Sequence, residues 1–222
     1  MRGLFITFEG GEGAGKSTQV QRLSRRLREI GREMVLTREP GGSPRAERIR
    51  DSILSGEGKG FGAFAEALMF FAARADHLET VIRPALARGA VVVCDRFADS
   101  TRAYQGSRGE VDRSLLQALE RVVVGPTRPD LTLILDVPAE VGLQRAAARR
   151  RQGRQAADRF EQEEIGFHAR LREAFLAIAR AEPDRCVVID ARGDPDTIAD
   201  QVWAAVRGRL GLTAENTGTS AG

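Results

Sequence analysis

Leu4-Phe5-Ile6-Thr7-Phe8-Glu9-Gly10-Gly11-Glu12-Gly13-Ala14-Gly15-Lys16-Ser17-Thr18 decides how the chain is read. Its first half is apolar without alternation, as a strand covered on both faces must be. Its second half contains Gly10-x-x-x-x-Gly15-Lys16-Ser17, the spacing of a phosphate-binding loop. Glycine is 24 of 222 residues, and lysine occurs only at 16 and 59. At that composition roughly 0.002 chance matches are expected. Downstream, Val20, Leu23, Leu27 and Ile30 recur at helical spacing, and Gly31 is placed to end the helix. Strand, glycine loop and helix thus follow in the order that the chemistry needs. The glycines let successive amides converge on phosphate oxygens, and the helix N-terminus adds its positive end. Gly10, Gly11, Glu12, Gly13, Ala14, Gly15, Lys16, Ser17 and Thr18 are therefore the candidate triphosphate site. Lys16 would reach the β- and γ-phosphates and the Ser17 hydroxyl would ligate Mg²⁺. A glycine turn that merely caps a helix is the plainer alternative.

Outward from this stretch, apolar runs alternate with helical patterns. Met34–Thr37, Ala90–Asp95, Leu131–Asp136 and Cys186–Asp190 read as further strands. Helices are expected at 44–54, 63–87, 99–107, 112–123 and 139–149, on the Phe167-Leu171-Phe175-Ile178 stripe, and on the Ile198-Val202-Val206-Leu210 stripe. Gly56–Gly62 reads as a loop. Non-alternating strands separated by helices predict an α/β fold: a doubly wound, five-stranded parallel sheet with helices on both faces. Ligands in such sheets bind beyond the carboxyl ends of the strands. Glu9, Asp95, Asp136 and Asp190 fall there. Residues 1–211 form one expected domain, and 212–222 an expected frayed tail.

The composition excludes several classes. Hydrophobic residues are 42% and charged residues 29%, an ordinary globular balance. No apolar run approaches the ~20 residues of a membrane span, and the N-terminus lacks a signal-peptide core. Cys94 and Cys186 lie in separate apolar runs, so no disulfide framework is expected. A cytoplasmic protein without membrane partners follows. The net charge of +3 gives no argument for nucleic acid. Guanine-specific switches carry Asn-Lys-x-Asp. The sole Asn is Asn216, so that motif is absent.

Arg38, Arg74 and Arg96 fall after the second strand, on the long helix and after the third strand. Arginine binds phosphate oxygens in bidentate fashion, so such a cluster suits two polyphosphates brought together. In an Arg-rich chain each is otherwise a solvated surface residue. Residues 149–159, Arg149-Arg150-Arg151-Gln152-Gly153-Arg154-Gln155-Ala156-Ala157-Asp158-Arg159, hold no apolar side chain larger than alanine. They read as a mobile Arg-rich lid that closes over the transferring phosphoryl group, or as a solvated basic loop.

With Thr37-Arg38-Glu39-Pro40-Gly41-Gly42, Leu68-Met69-Phe70-Phe71-Ala72-Ala73-Arg74, Asp95-Arg96-Phe97, Ser100-Thr101-Arg102-Ala103-Tyr104-Gln105-Gly106 and Asp158-Arg159-Phe160-Glu161 in this order, the chain resembles the bacterial thymidylate kinases over about residues 4–206. The resemblance implies a P-loop NTPase fold and transfer of the ATP γ-phosphoryl to thymidine monophosphate (dTMP), with Mg²⁺, usually in a homodimer built on helices that include the long one. It implies Phe70 stacked on thymine and Arg74 on the base edge. Ser100 and Thr101 would lie near the base, Tyr104 under the sugar and Gln105 close by. Arg38 and Arg96 would hold the monophosphate, and Glu12 would orient the acceptor sugar or metal-bound water. Relatives with an acid at that loop position and no loop arginine take catalytic arginines from the lid. Arg149 and Arg154 are the candidates among Arg149, Arg150, Arg151 and Arg154. Lys16, Glu12, Arg96, Arg149 and Arg154 make up the expected catalytic set, and Ser17 with Asp95 the expected metal site.

The implied chemistry is physically coherent. A phosphate monoester, with a second pKa near ~6, is largely a dianion at neutral pH and needs no protein base. The obstacle is repulsion between polyanions, which Lys16, Mg²⁺, Arg96 and a lid arginine would neutralise. Two rivals remain open on the residues alone. A deoxynucleoside kinase would need a carboxylate base, with Glu39 available. A nucleotide-binding regulator would bind ATP without transfer.

Overall fold

The computed structural model describes residues 3–109, 111–151 and 163–211. Five parallel strands, β1 (Leu4–Glu9), β2 (Met34–Arg38), β3 (Val91–Asp95), β4 (Leu131–Asp136) and β5 (Cys186–Asp190), lie in the order β2-β3-β1-β4-β5. The expected sheet is present, with its strand positions matched to within a residue or two. Phe8 pairs with Asp95 on one side and Leu133 on the other, and Arg38 also pairs with Asp95. The carboxyl ends of β1, β2 and β3 are therefore level, and the loops leaving them meet.

Side chains of β1 divide between two cores. Ile6 and Phe8 enter one with Val93, Leu131 and Leu133. It is closed by Val20, Leu23 and Leu27 of α1 (Lys16–Glu29) and Ile198, Val202 and Val206 of α9 (Pro195–Arg209). Phe5 points to the opposite face with Val92, Cys94 and Phe97. That face is continued by Ile134 against Phe167, Leu171 and Phe175 of α8 (Ile165–Ala181). Both faces are apolar, so the strands show no alternation in sequence.

Local signals explain most boundaries. The Ser43 side chain caps α2 (Pro44–Ser55) by accepting from the Ala46 N–H, and Pro44 takes the first turn. The long helix departs from expectation. It runs as α3 (Gly62–His77), a π-helical turn at Leu78–Ile82, and α4 (Arg83–Ala87). Pro84 has no N–H to donate and its ring crowds the carbonyl one turn earlier, so the backbone widens there. Gly56–Gly62, expected as a loop, contains a 3₁₀ turn at Glu57–Phe61. Next come α5 (Ala98–Arg108) and α6 (Arg113–Val123).

The helix expected at 139–149 runs on as α7 (Ala139–Arg151), so Arg149, where the expected mobile segment begins, and Arg150 and Arg151 within it form the last helical turn. Alanine and arginine are strong helix formers, and cations at a helix C-terminus complement its dipole, so this turn needs no apolar packing. The remainder of the expected lid, with Arg154, lies outside the described residues, as does the tail from 212. Among the described residues no helix is long and apolar enough to cross a membrane.

Gly142, on α7, meets the glycine loop directly. A Cβ there would lie 2.3 Å from the Glu12 carbonyl oxygen, and one on Gly13, whose φ is +66°, would lie 1.9 Å from the Gly142 oxygen. Neither obstacle is a movable side chain. Gly142→Ala is expected to destabilise the fold by about 1–3 kcal/mol, seen as a lower melting temperature. A variant that melts with the parent would show that loop and helix are free to separate.

Candidate functional site

The loops from β1, β2 and β3 enclose a cavity of about 460 Å³. Its walls come from distant parts of the sequence. The glycine loop gives Glu12, Gly13, Gly15, Lys16 and Ser17. The β2–α2 connection gives Arg38, Glu39 and Pro40. Arg50 and Leu54 come from α2, and Phe70 and Arg74 from α3. Asp95, Arg96, Phe97, Ser100, Thr101, Tyr104 and Gln105 follow from β3 onward, with Arg149 at the end of α7.

Positive φ angles at Gly10, Gly13 and Gly15 curl the loop into the turn that opens α1. Lys16 Nζ donates to the carbonyls of Gly10 (3.0 Å) and Gly11 (2.8 Å), which holds the ammonium across the cup. Burial and nearby Arg96 lower its pKa, against the pull of Glu12, Asp95 and Glu9, to about 8. Ser17 Oγ donates to Asp95 Oδ2 at 2.9 Å, while Asp95 Oδ1 is buried with no partner among the described residues. A hydroxyl beside a carboxylate with one unused oxygen is a donor set that suits Mg²⁺. No group of three or more His, Cys, Asp or Glu placed to hold a metal occurs among the described residues.

Arg96 is the one described residue other than glycine with positive φ, at 67°. Its N–H donates to the Phe8 carbonyl at 2.9 Å and the next N–H, of Phe97, to Glu9 Oε1 at 2.8 Å. This sharp turn sends the guanidinium to Glu12 Oε1 (2.6 Å), with weaker contacts to the Gly10 carbonyl and Ser100 Oγ. Tyr104 lies under it, its ring centroid 5.1 Å from Cζ, and donates its hydroxyl to the same Glu12 oxygen at 2.6 Å. Burial raises the Glu12 pKa, but Arg96, Lys16 and Tyr104 outweigh it and bring it to about 2. Glu9 goes the other way. Complete burial and neighbouring Asp99 outweigh its bonds from Ser100 and Phe97, and its pKa rises to about 8.

The expected site residues divide clearly. Glu12, Lys16, Ser17, Phe70, Arg74, Asp95, Arg96, Ser100, Thr101, Tyr104, Gln105 and Arg149 share the cavity. Phe70 lines it while Phe71 turns into a core with Leu116, as their adjacent positions on one helix require. Arg38 stands at the rim, half exposed and paired with Glu47 at 3.0 Å. Thr18 is exposed on α1 and does not line the cavity. Two strand-end carboxylates lie apart. Asp136 is held bidentately by Arg172, and Asp190 pairs with Arg192. Glu39, named above as a possible base, has both oxygens engaged, by Arg74 Nε at 2.8 Å and His77 Nδ1 at 3.0 Å. Pro40, Arg50, Leu54 and Gly142 were not singled out from sequence. Only Pro40, beside a glycine pair, carried a local signal.

A five-stranded parallel sheet with a glycine loop after its central strand, and cations facing that loop across a cavity, defines the phosphate-loop class of nucleotide-binding α/β proteins. Within that class, the family model described as thymidylate kinase matches residues 8–202. Curated proteins named thymidylate kinase are similar over nearly the whole chain. The one from Bradyrhizobium diazoefficiens is 60% identical over 209 residues, covering 94% of this chain and 91% of its own. The one from Caulobacter vibrioides is 57% identical, covering 95% and 99%. The crystal structure of thymidylate kinase from Ehrlichia chaffeensis matches with a TM-score of 0.73 at 34% identity, over 93% of this chain and 99% of that one. The chain belongs to the thymidylate kinase family and is accordingly an enzyme, a kinase that acts on nucleotides.

The raised pKa of Glu9 has a measurable consequence. The folded chain keeps that proton to about pH 8, whereas the unfolded chain loses it near the ordinary 4.5. Between these values the folded state binds more protons, so this group's contribution to stability falls as pH rises. Glu9→Gln mimics the protonated form and removes that slope. Its melting temperature is expected to gain on the parent's between pH 5 and pH 8.5. A constant gap would mean that Glu9 is ionised in the fold.

Proposed function

We propose that the enzyme transfers the γ-phosphoryl group of ATP to thymidine monophosphate, giving the diphosphate that feeds DNA precursor synthesis. The observation that carries this reading is the 2.6 Å pairing of Glu12, from the phosphate loop, with Arg96, from the opposite wall. It brings a cation of the opposite wall up against the phosphate loop, which supports a reading in which donor and acceptor phosphates meet in one cavity for direct transfer.

Loop amides and Lys16 receive the donor phosphates. Ser17 with Asp95 would hold Mg²⁺, which would supply positive charge against the phosphates. Arg96, with Arg38 at the rim, grips the acceptor monophosphate, already a nucleophilic dianion. Arg149, whose Nε is buried with no partner among the described residues, faces the same space and adds positive charge from α7. Arg154 joins it in this reading, although it lies outside the described residues. Phe70 stacks on the base, and Arg74, one turn along the same face, takes its edge. Ser100, Thr101 and Gln105 border the base. Tyr104, pinned to Glu12, fills the space under the sugar. Residues 1–211 act as one domain. A second copy of the chain covers exposed Phe64 and Leu68 of α3 and Leu115 and Val122 of α6, and we place the dimer with the cytoplasmic nucleotide pool. A deoxynucleoside kinase is disfavoured because Glu39, its candidate base, is spent on Arg74 and His77.

Lys16→Met is expected to lower kcat at least a hundredfold, in line with loss of a preorganised charge of ~3 kcal/mol, with thermal unfolding little changed. Near-normal kcat in the folded variant would sink the assignment, as would turnover of thymidine in preference to its monophosphate in an ADP-release assay. Phe70→Ala is expected to raise KM for dTMP far more than KM for ATP. Equal rises would make Phe70 a packing residue.

A further inference from the structure

A chain of buried polar groups runs from Thr37 and His77, behind the acceptor wall, into Glu39, Arg74 and Thr101 of the wall itself. Thr37 Oγ1 and His77 Nε2 are 2.7 Å apart, and His77 Nδ1 meets Glu39 Oε1 at 3.0 Å. Glu39 Oε2 accepts from Arg74 Nε at 2.8 Å, and Arg74 Nη2 donates to Thr101 Oγ1 at 2.9 Å. His77, Glu39 and Arg74 are all nearly inaccessible, with side chains 0%, 4% and 2% exposed. The guanidinium is also walled by rings, with Cζ 5.2 Å from the Phe71 centroid and 5.1 Å from that of Phe97. Two of its three nitrogens are committed. The third, Nη1, is buried with no acceptor among the described residues. Arg74 is one of the residues that line the cavity, and no described residue supplies Nη1 with an acceptor.

A buried N–H without a partner is costly, and a guanidinium on a flexible stem would ordinarily turn to satisfy it. Here it cannot turn without breaking the bond to Glu39, and Glu39 is itself fixed by His77. We propose that Glu39 and His77 are positioning residues for base selection. They lock Arg74 so that Nη1 is offered as a fixed donor to an exocyclic carbonyl on the acceptor base, and not to an exocyclic amino group in the same place. The inference rests on the proposed function for its substrate, and goes beyond it in assigning selectivity to His77, which does not line the cavity, and to Glu39, which lines it but has both oxygens engaged within the protein. The polarity follows from the chain itself. Glu39 accepts from Arg74 Nε on one oxygen and faces the Nδ1 side of His77 with the other, and a guanidinium carries donors only, so its free edge can only donate. An incoming amino group would face a donor with a donor.

The test pairs protein variants with a missing ligand atom. The parent enzyme is first assayed with dTMP, with dCMP and with the 2-pyrimidinone analogue of dTMP, which lacks the 4-oxygen. Glu39→Gln and His77→Leu are then assayed with the same three. The expected result is a loss of about tenfold or more in kcat/KM for dTMP. The analogue should lose little, because it never used the donor, and KM for ATP should hold. The dTMP to dCMP preference should shrink by the same factor. His77→Asn, whose amide can still donate toward Glu39, should recover much of the loss. Equal losses on dTMP and on the analogue would overturn the proposal, since a purely structural role acts on both alike. If Glu39→Gln does not fold, the two His77 variants give the same reading. A parent enzyme that does not phosphorylate dTMP would instead refute the proposed function, an outcome visible before any variant is made.

Discussion

The placement of the Arg96 guanidinium is the constraint around which the cavity is organised. A side chain leaving a strand in extended backbone would follow the sheet, not cross to the neighbouring loop. A φ of 67° redirects it, and such a conformation costs of order 1 kcal/mol or more for a residue other than glycine. It persists because its surroundings over-determine it. Its own N–H is bound to Phe8, its carbonyl receives the Cys94 thiol at 3.0 Å, and the following N–H is bound to Glu9. The guanidinium ends on Glu12 and lies over Tyr104. Several contacts from different elements thus hold the turn together and keep the cation opposite the phosphate loop.

The same arrangement explains how two carboxylates three residues apart acquire opposite properties. Glu12 sits where Arg96, Lys16 and the Tyr104 hydroxyl converge, and their attraction exceeds the cost of burial. Glu9 is on the strand side of Arg96, beneath the turn, with Asp99 nearby. There burial dominates, and its oxygens serve the backbone of the turn and Ser100. One acid is kept charged in the cavity and the other near neutral behind it. Asp99, in turn, pairs with Arg102 one turn along α5 and with Arg185, just before β5, which anchors the first turn of α5 from outside. The residues of α5 that border the cavity therefore stand on a bed of ion pairs.

The sheet was readable because a strand covered on both faces must be apolar throughout, and five such runs stand out among amphipathic helices. The loop was readable because its spacing states its geometry. What escaped was whatever arises between residues far apart in sequence. Nothing local says that Gly142 touches the Glu12 carbonyl, that Glu39 is spent on Arg74 and His77, or that Arg38 turns to Glu47. Pro84 did carry a local signal, but periodicity tolerates one widened turn and gives no reason to break the helix there. The arginines at 149–151 misled in the opposite direction. Lack of apolar bulk excludes a core contact, yet a helix end needs only backbone bonds and solvent. Adjacent Phe70 and Phe71 show the useful case, since helical geometry alone requires them to part.

On the proposed function, the two substrates are recognised by different means, and the wall composition shows why. The donor side offers Gly13, Gly15, Lys16 and Ser17: backbone amides, one ammonium and one hydroxyl, all suited to phosphate and none to a base. The acceptor side offers Phe70, Arg74, Thr101 and Gln105, a flat apolar surface with directional polar groups around it. Those groups are fixed from behind, Arg74 by Glu39 and Gln105 by buried Glu66, to which its amide donates at 3.2 Å. Charge alone can hold a triphosphate, because every nucleoside triphosphate carries the same one. Telling one pyrimidine from another requires donors and acceptors that cannot rotate to accommodate the wrong base, and in a small domain that rigidity comes from buried carboxylates, Glu39 in the cavity wall and Glu66 behind it. The cost of burying them is offset because each is paired, and its return appears as selectivity on the acceptor and not as stability of the fold.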